Sequence, residues 1–385
     1  IGLLVAFKYS GFLYETVNEV FGTSLEVPNF TLPIGISFYT FQTISYVVDV
    51  YRGEVKAQRS YSKFLMFVSL YHQLVAGPIV RYATIAREVD GRRESLKDVV
   101  SGIHRFCIGL FKKVCIANVA GELVARYMEA DPTSLTMGES WLGLLMFSLQ
   151  IYYDFSGYSD MAIGLGQMFG FHYLENFRHP YVARTATDFW RRWHISLGTF
   201  FRDYVYIPLG GNRRHPIRNL FIVWGLTGLW HGASWNFILW GLYFGALIFL
   251  ERVALSRLLD ALPRAIGHSY LLLVAYFGWA LFYFTDLSQL GSYLGVMFGS
   301  NAHITGSGEL ATVLREHLYW LALAVLGCVP IYDALRARLR ESVSGSESRQ
   351  RWVGIGMMAM NVAMLTVATT MLVGRSYNPF LYFRF

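Results

Sequence analysis

The run from Leu220 to Leu250 contains no Asp, Glu, Lys or Arg, and a single histidine, His231, sits inside it. About 20 apolar residues suffice to cross a bilayer, so this run is long enough to span one. An ionisable group at such a depth is costly unless it faces a cavity or a polar partner, which makes His231 a functional candidate. Its context is Leu229-Trp230-His231-Gly232-Ala233-Ser234-Trp235-Asn236. The plainer reading is a buried histidine bonded to a backbone carbonyl. Glycines at 225, 228 and 232, and again at 241 and 245, are spaced to let helices approach closely.

Other windows are also free of acidic and basic residues: Val27–Val48, Phe64–Val80, Ile266–Thr285 and Trp352–Gly374. Leu318–Tyr332 is shorter and fits a tilted or partial span. Hydrophobic residues make up 54% of the chain and charged ones 15%, against about 25% charged in soluble proteins. The expectation is an all-α, polytopic transmembrane protein with about eight to ten membrane segments, some of them broken. One membrane domain covers 1–385. The chain opens on Ile1 without a signal-peptide pattern, and Ile1–Phe7 reads as the tail of a truncated span, with N-terminal spans missing.

The net charge is +7, and the basic residues punctuate the spans without forming a continuous face. That pattern suits cytoplasmic loops and anionic lipid better than nucleic acid. Cys107, Cys115 and Cys328 have neither metal-type spacing nor a disulfide framework and read as packing residues. No acidic or histidine cluster has metal-ligand spacing, so no catalytic metal is expected. No glycine-rich phosphate loop is present.

From Thr187 onward, Phe189, Trp190, Trp193, Leu197, Phe200, Phe201 and Tyr204 form one helical stripe, with Arg191, Arg192, Arg202 and Asp203 pointing elsewhere. Thr187 is a candidate N-cap, and Pro180 and Pro208 bracket the segment. Such a basic, aromatic helix lies at an interface or re-enters the membrane edge. His194 falls on its apolar side, as a packing residue or a functional one. His215, in the basic turn Gly210–Pro216, reads as exposed and inert. Asp154 and Asp160 lie at membrane depth and do not share a face of a regular helix. A break at Gly157 would bring both to one cavity as a polar wall, with Asp154 or Asp160 paired to a buried Arg or Tyr.

Several stretches, in this order, resemble the membrane-bound O-acyltransferase family, and among its members the polysaccharide O-acetylation branch. They are Leu32-Pro33-Ile34-Gly35-Ile36-Ser37-Phe38-Tyr39-Thr40-Phe41-Gln42, Gln73-Leu74-Val75-Ala76-Gly77-Pro78-Ile79, Tyr153-Asp154-Phe155-Ser156-Gly157-Tyr158-Ser159-Asp160, Asp188-Phe189-Trp190-Arg191-Arg192-Trp193-His194, Arg202-Asp203-Tyr204, Trp230-His231-Gly232 and the closing Asn378–Phe385. The resemblance implies a helical membrane fold around a central tunnel. It implies His231 at the family's essential histidine, and His194 where members carry a second His or an Asn. His72 departs from the alginate-type pattern, and no role transfers to it.

The family moves an acyl group from a thioester to a hydroxyl. A neutral imidazole suits the removal of the hydroxyl proton near physiological pH, and His231, among Trp224, Trp230 and Trp235, is the candidate base. The oxyanion needs donors, and His194, Asn236, tryptophan N–H groups or backbone N–H groups at a helix break are open possibilities. Asp154, Ser156, Tyr158, Asp160, Trp193, Trp230 and Asn236 are expected to line or support the tunnel. Arg191, Arg192, Arg213 and Arg214 are expected on the donor side, where Arg forks bind phosphate, or as anchors to lipid headgroups.

The resemblance therefore implies a multi-pass inner (cytoplasmic) membrane enzyme. No bound cofactor is expected, and acetyl-CoA or another acyl thioester is the donor. The acceptor is an extracytoplasmic polysaccharide such as alginate, or a partner acetyltransferase protein. D-Alanyl transfer to teichoic acid is the enzymatic alternative. A non-enzymatic transporter or scramblase is the alternative of another class, weakened by the lack of an internal repeat.

Overall fold

A computed structural model describes residues 1–74, 77–300, 308–373 and 380–381. The described residues form helices and no strands. The first third holds α1 (Gly2–Phe21), α2 (Ile36–Tyr51), α3 (Tyr61–Ser69), α4 (Tyr71–Leu74) and α5 (Tyr82–Gly91). Helix α6 (Leu96–Phe111) passes through a π-wound turn, Lys112–Ala117, into α7 (Asn118–Met128). Then come α8 (Met137–Met168), α9 (Ala186–Arg192), α10 (Ile195–Phe201), α11 (Pro216–His231) and α12 (Trp235–Leu250). A further π turn, Glu251–Leu255, leads into α13 (Ser256–Ala261), followed by α14 (Arg264–Tyr283) and α15 (Leu287–Met297). The remainder is α16 (Gly308–Glu316), α17 (Leu318–Gly327), α18 (Ile331–Val343) and α19 (Glu347–Leu372).

Helix α8 is the mast of the fold. It runs for 32 residues and opens on a capping box, in which Thr136 accepts the Glu139 N–H and Glu139 accepts the Thr136 N–H. Its buried face joins Trp193, Trp240, Phe244 and Trp279 in the largest apolar cluster. Helix α6 lies against it at glycine contacts. A Cβ added to Gly157 would stand 2.8 Å from the Gly109 carbonyl oxygen, and one added to Gly164 would stand 2.6 Å from that of Gly102. Small residues permit this backbone approach. Gly157 is therefore a packing glycine inside a continuous helix, and the expected break there does not occur.

Among the described residues, three helical stretches are long and apolar enough to cross a membrane: Trp235–Ala261, Arg264–Tyr283 and Glu347–Leu372. Glu309–Glu316 with Leu318–Gly327, bent by 60°, makes a possible fourth as a broken span. This is fewer than the eight to ten segments expected. The window Val27–Val48 holds the 16-residue α2, and Phe64–Val80 holds the short α3 and α4. The run Leu220–Leu250 doubles back on itself: α11 ends at His231, α12 starts at Trp235, and the two pack side by side. Gly228 and Gly241 make this possible, since a Cβ on either would run into the carbonyl of Phe237 or Trp224 across the hairpin. Residues 2–7 form the first part of α1.

The amphipathic segment also differs from its expectation. Its N-cap is Thr185, which accepts the Asp188 N–H, and the helix breaks at Trp193–His194 into α9 and α10. The segment after α8 zips onto the break: the Arg178 N–H donates to the Arg192 carbonyl, and the Ile195 N–H to the Asn176 carbonyl. Helical periodicity survives such a break, so the pattern alone does not reveal it.

Gly157→Ala should destabilise the protein by about 1–3 kcal/mol through overpacking at the α6–α8 contact. Thermal unfolding in detergent checks this. A melting temperature equal to wild type would show that the contact yields without cost.

Candidate functional site

His231 is the last residue of α11, at the tip of the hairpin and not midway along a span. A helix end leaves carbonyls without intrahelical partners. Here α1 supplies them. The Lys8 ammonium donates to the carbonyls of Trp230 (2.6 Å) and His231 (3.2 Å), and the Tyr9 hydroxyl to that of Leu229 (2.7 Å). A cation at a helix C-terminus also meets the negative end of the macrodipole. The His231 ring packs edge-on against Trp230 (4.9 Å), Trp240 (5.0 Å) and Phe282 (5.1 Å). Trp235, expected beside it, is exposed and packs on Phe12, while Trp224 packs on Trp190.

His194 comes to the same tryptophan. Its ring lies 5.7 Å from that of Trp230 and 4.6 Å from Phe155. It is buried, and its backbone sits in the left-handed region with φ 44°. That conformation is uncommon outside glycine and persists where the surroundings impose it, often at functional sites. Glu251 holds the other end of α9. Its carboxylate accepts the Ala186 and Thr187 N–H groups and the Thr187 hydroxyl. Thr187 is thus tied to Glu251 and does not serve as the cap.

Two cavities flank this pair. The smaller, about 40 Å³, is lined by Asp154, Phe155, Trp193, Trp230, His231 and Trp240 among others. It exceeds the roughly 10–15 Å³ that one water needs. The larger, about 920 Å³, is lined on its polar side by Arg105, Lys112, Asp160, Glu175, Asn176, Arg178, Arg192 and Arg336. Asn176 lines the larger cavity and contacts His194, which in turn packs on two residues lining the smaller one. His231 thus lines the small cavity itself, while His194 lines neither and is linked to the large one through Asn176.

Asp154 and Asp160 face different cavities. Lys113 pairs with Asp154 (2.5 Å), while Lys112 (2.6 Å) and Arg105 (2.9 Å) pair with Asp160. The π-wound turn carries the two adjacent lysines to carboxylates almost two helical turns apart on α8. Asp154 also accepts the Leu381 N–H (2.7 Å), and Phe380 packs on Tyr158 (4.9 Å). Of the expected tunnel residues, Asp154, Trp193 and Trp230 line the small cavity with His231, and Asp160 lines the large one. Ser156, Tyr158 and Asn236 line neither. The Asn236 amide donates to the carbonyls of Leu281 and Phe282, which leaves it no donor for an oxyanion. The Trp240 Nε1–H is buried without a partner among the described residues.

Of the four donor-side arginines, Arg192 lines the large cavity, and Arg191, Arg213 and Arg214 line neither. Arg192 is also clamped to Asp188 at 3.0 Å. The exposed Arg213 and Arg214 lie in the turn before His215, which is exposed as expected. The Arg202-Asp203-Tyr204 block is a brace: Asp203 pairs with Arg81 (2.8 Å), and the Tyr204 hydroxyl donates to Asp49 (2.6 Å). The cysteines are buried and free. Among the described residues, no group of three or more His, Cys, Asp or Glu is placed to hold a metal ion. Residues 75–76, 378–379 and 382–385 of the quoted blocks lie outside the described residues.

The sequence reading missed Lys8, Lys113, Asn176 and Glu251. Lys8 and Glu251 carried a weak signal, as a lone cation in an apolar N-terminal helix and as the first charge after the Leu220–Leu250 run. Asn176 carried none.

A helical membrane protein with two histidines packed on one tryptophan beside an internal cavity fits a membrane acyltransferase, and the comparisons define it as one. The chain matches the membrane-bound O-acyltransferase family over residues 54–293, and it belongs to that family. It is 37% identical over 417 residues to a probable alginate O-acetylase, AlgI, of Azotobacter vinelandii, covering 98% of this chain and 82% of that protein. It is 35% identical to a peptidoglycan O-acetyltransferase of Helicobacter pylori, covering 78% and 63%. It is 28% identical to a teichoic acid D-alanyltransferase of Bacillus subtilis, covering 56% and 58%. The chain is thus an acyltransferase of the membrane, and the transporter and scramblase alternatives fall away.

Lys8→Met should leave the terminal carbonyls of α11 uncapped and cost about 1–3 kcal/mol. It should also lower acyl transfer, because His231 ends the uncapped turn. Unfolding and turnover are measured on the same preparation. Unchanged values for both would remove Lys8 from the account.

Proposed function

We propose that this protein transfers acetyl from a cytoplasmic-side thioester, acetyl-CoA or an equivalent acyl thioester, to a hydroxyl of an extracytoplasmic polysaccharide. Transfer is direct or through a partner acetyltransferase protein, and the site lies in the inner membrane. The supporting observation is the convergence of His231 and His194 on Trp230, in the wall of the small cavity. The high coverage of the alginate O-acetylase relative favours acetyl and polysaccharide over D-alanyl and teichoic acid.

In this reading the donor's anionic portion lies in the large cavity, where Arg105, Lys112, Arg178, Arg192 and Arg336 outnumber Asp160, Glu175 and Asp333. The acyl group reaches the small cavity. The acceptor oxygen bonds to the acyl carbon, the carbon–sulfur bond breaks, and the hydroxyl proton passes by way of imidazole to the leaving sulfur. His231 takes that proton, and the Trp240 N–H meets the oxyanion. Asp154, locked to Lys113, holds the cavity wall and Leu381 in place.

His231→Ala should lower transfer by about 10²–10⁴-fold with normal insertion. Trp240→Phe should lower kcat by about 10²–10³-fold, the loss of one oxyanion donor. His194→Ala should impair turnover more than His194→Asn, which keeps a hydrogen-bonding amide. Radiolabelled acetyl transfer by purified protein measures all of these, and wild-type turnover in His231→Ala would sink the assignment.

Arg178→Gln and Arg336→Gln should raise the donor KM while Arg213→Gln and Arg214→Gln leave it unchanged. The effect should shrink as salt rises, since exposed charges are screened. Equal KM values across the four variants at low salt would place the donor elsewhere.

A further inference from the structure

Asn176 lies in the segment after α8, is fully buried, and touches His194, Ser196 and Ser159 at once. Its side-chain orientation is fixed by a donor that cannot be reassigned. The Ser196 backbone N–H points at Oδ1 (3.2 Å), so that atom is the acceptor. The Ser196 hydroxyl also donates to Oδ1 (2.8 Å), and the Asn176 amide donates to the Ser159 hydroxyl (3.0 Å). The Ser196 Oγ is itself an acceptor, because the Ile79 N–H donates to it (2.9 Å).

The His194 Nδ1 faces these two oxygens, Asn176 Oδ1 at 3.2 Å and Ser196 Oγ at 3.4 Å. Oδ1 can only accept, whereas the Ser196 hydroxyl is engaged in donating to Oδ1. A neutral imidazole carries one proton, on one nitrogen or the other. Facing the fixed acceptor Oδ1, Nδ1 is the nitrogen that carries it. Nε2 is then a lone pair, and it is buried with no hydrogen-bond partner among the described residues. The rings around it are Phe155 and Trp230, and the neighbouring titratable ring is His231.

We propose that Asn176 is a positioning residue that sets the tautomer of His194, holding the proton on Nδ1 and leaving Nε2 as a proton acceptor on a ring packed against Phe155 and Trp230 of the small cavity's wall. The neutral His194 ring is then a proton acceptor beside His231 and not a hydrogen-bond donor to the oxyanion, as one reading of the sequence allowed. When Nε2 takes a proton, the resulting imidazolium keeps its Nδ1–H bond to Asn176. The catalytic meaning of this arrangement rests on the acyl-transfer reading, whereas the tautomer itself does not.

The test uses the full chain in nanodiscs with ¹⁵N-labelled histidine, the His194 signals being assigned by difference from His194→Asn. The ¹⁵N shifts should place the proton on Nδ1 in wild type, and a proton on Nε2 would overturn the proposal. Asn176→Ala should mix the tautomers and lower kcat about 10- to 100-fold with little change in donor KM. An unmixed Nδ1–H form in that variant would overturn the role of Asn176. Should Asn176→Ala misfold, Asn176→Asp keeps the acceptor in place and adds a charge that favours the imidazolium. Its acidic limb in the pH–rate profile should move to higher pH by about 1–3 units. Tautomers that respond as expected, with kcat and pH profile unmoved, would leave the Asn176 assignment standing and contradict His194 as a participant in acyl transfer.

Discussion

The end of α11 is the point on which the candidate centre depends. A helix that stops inside apolar protein leaves its last carbonyls without partners, and such groups are costly to bury. Lys8 and Tyr9 meet three of them, at Leu229, Trp230 and His231. This allows the charge-free run to turn at Gly232 and return as α12 with Trp240 beside the histidine. A straight span would have placed His231 against lipid or a neighbouring helix. The turn places it against the small cavity.

Charge at depth is organised in two layers along α8. One layer is the single pair Asp154–Lys113 beside the small cavity, and the other is the Asp160–Arg105–Lys112–Glu175 network at the large one. Ion pairs away from water survive where partners and added hydrogen bonds offset desolvation. Asp154 gains the Leu381 N–H in this way. The two layers give the cavities different characters: the small one is aromatic with one neutralised carboxylate, and the large one carries surplus positive charge.

Much of this was legible in the sequence, for identifiable reasons. Apolar run length revealed the membrane class, and the isolation of His231 in such a run marked it without any relative at hand. The Asp-Phe-Trp-Arg-Arg-Trp-His block marked His194 through resemblance. What sequence hid was every relation between distant residues. The hairpin at Gly232 has the composition of an unbroken span. The break at His194 is bonded to Asn176, whose neighbours in the chain announce nothing. The continuity of α8 through Gly157 depends on Gly109 lying opposite, because the same glycine would mark a break if nothing packed on it. Asp154 and Asp160 parted company for the same reason, since an unbroken helix turns them apart.

The central claim is that the acyl carbon reacts between His231 and His194. A cryo-electron microscopy structure with a non-hydrolysable thioether analogue of acetyl-CoA tests it directly. The account predicts the analogue's carbonyl in the small cavity within hydrogen-bond reach of the His231 ring or the His194 Nε2, with its phosphates among the arginines of the large cavity. A carbonyl bound away from both histidine rings, with the analogue otherwise well ordered, would contradict it.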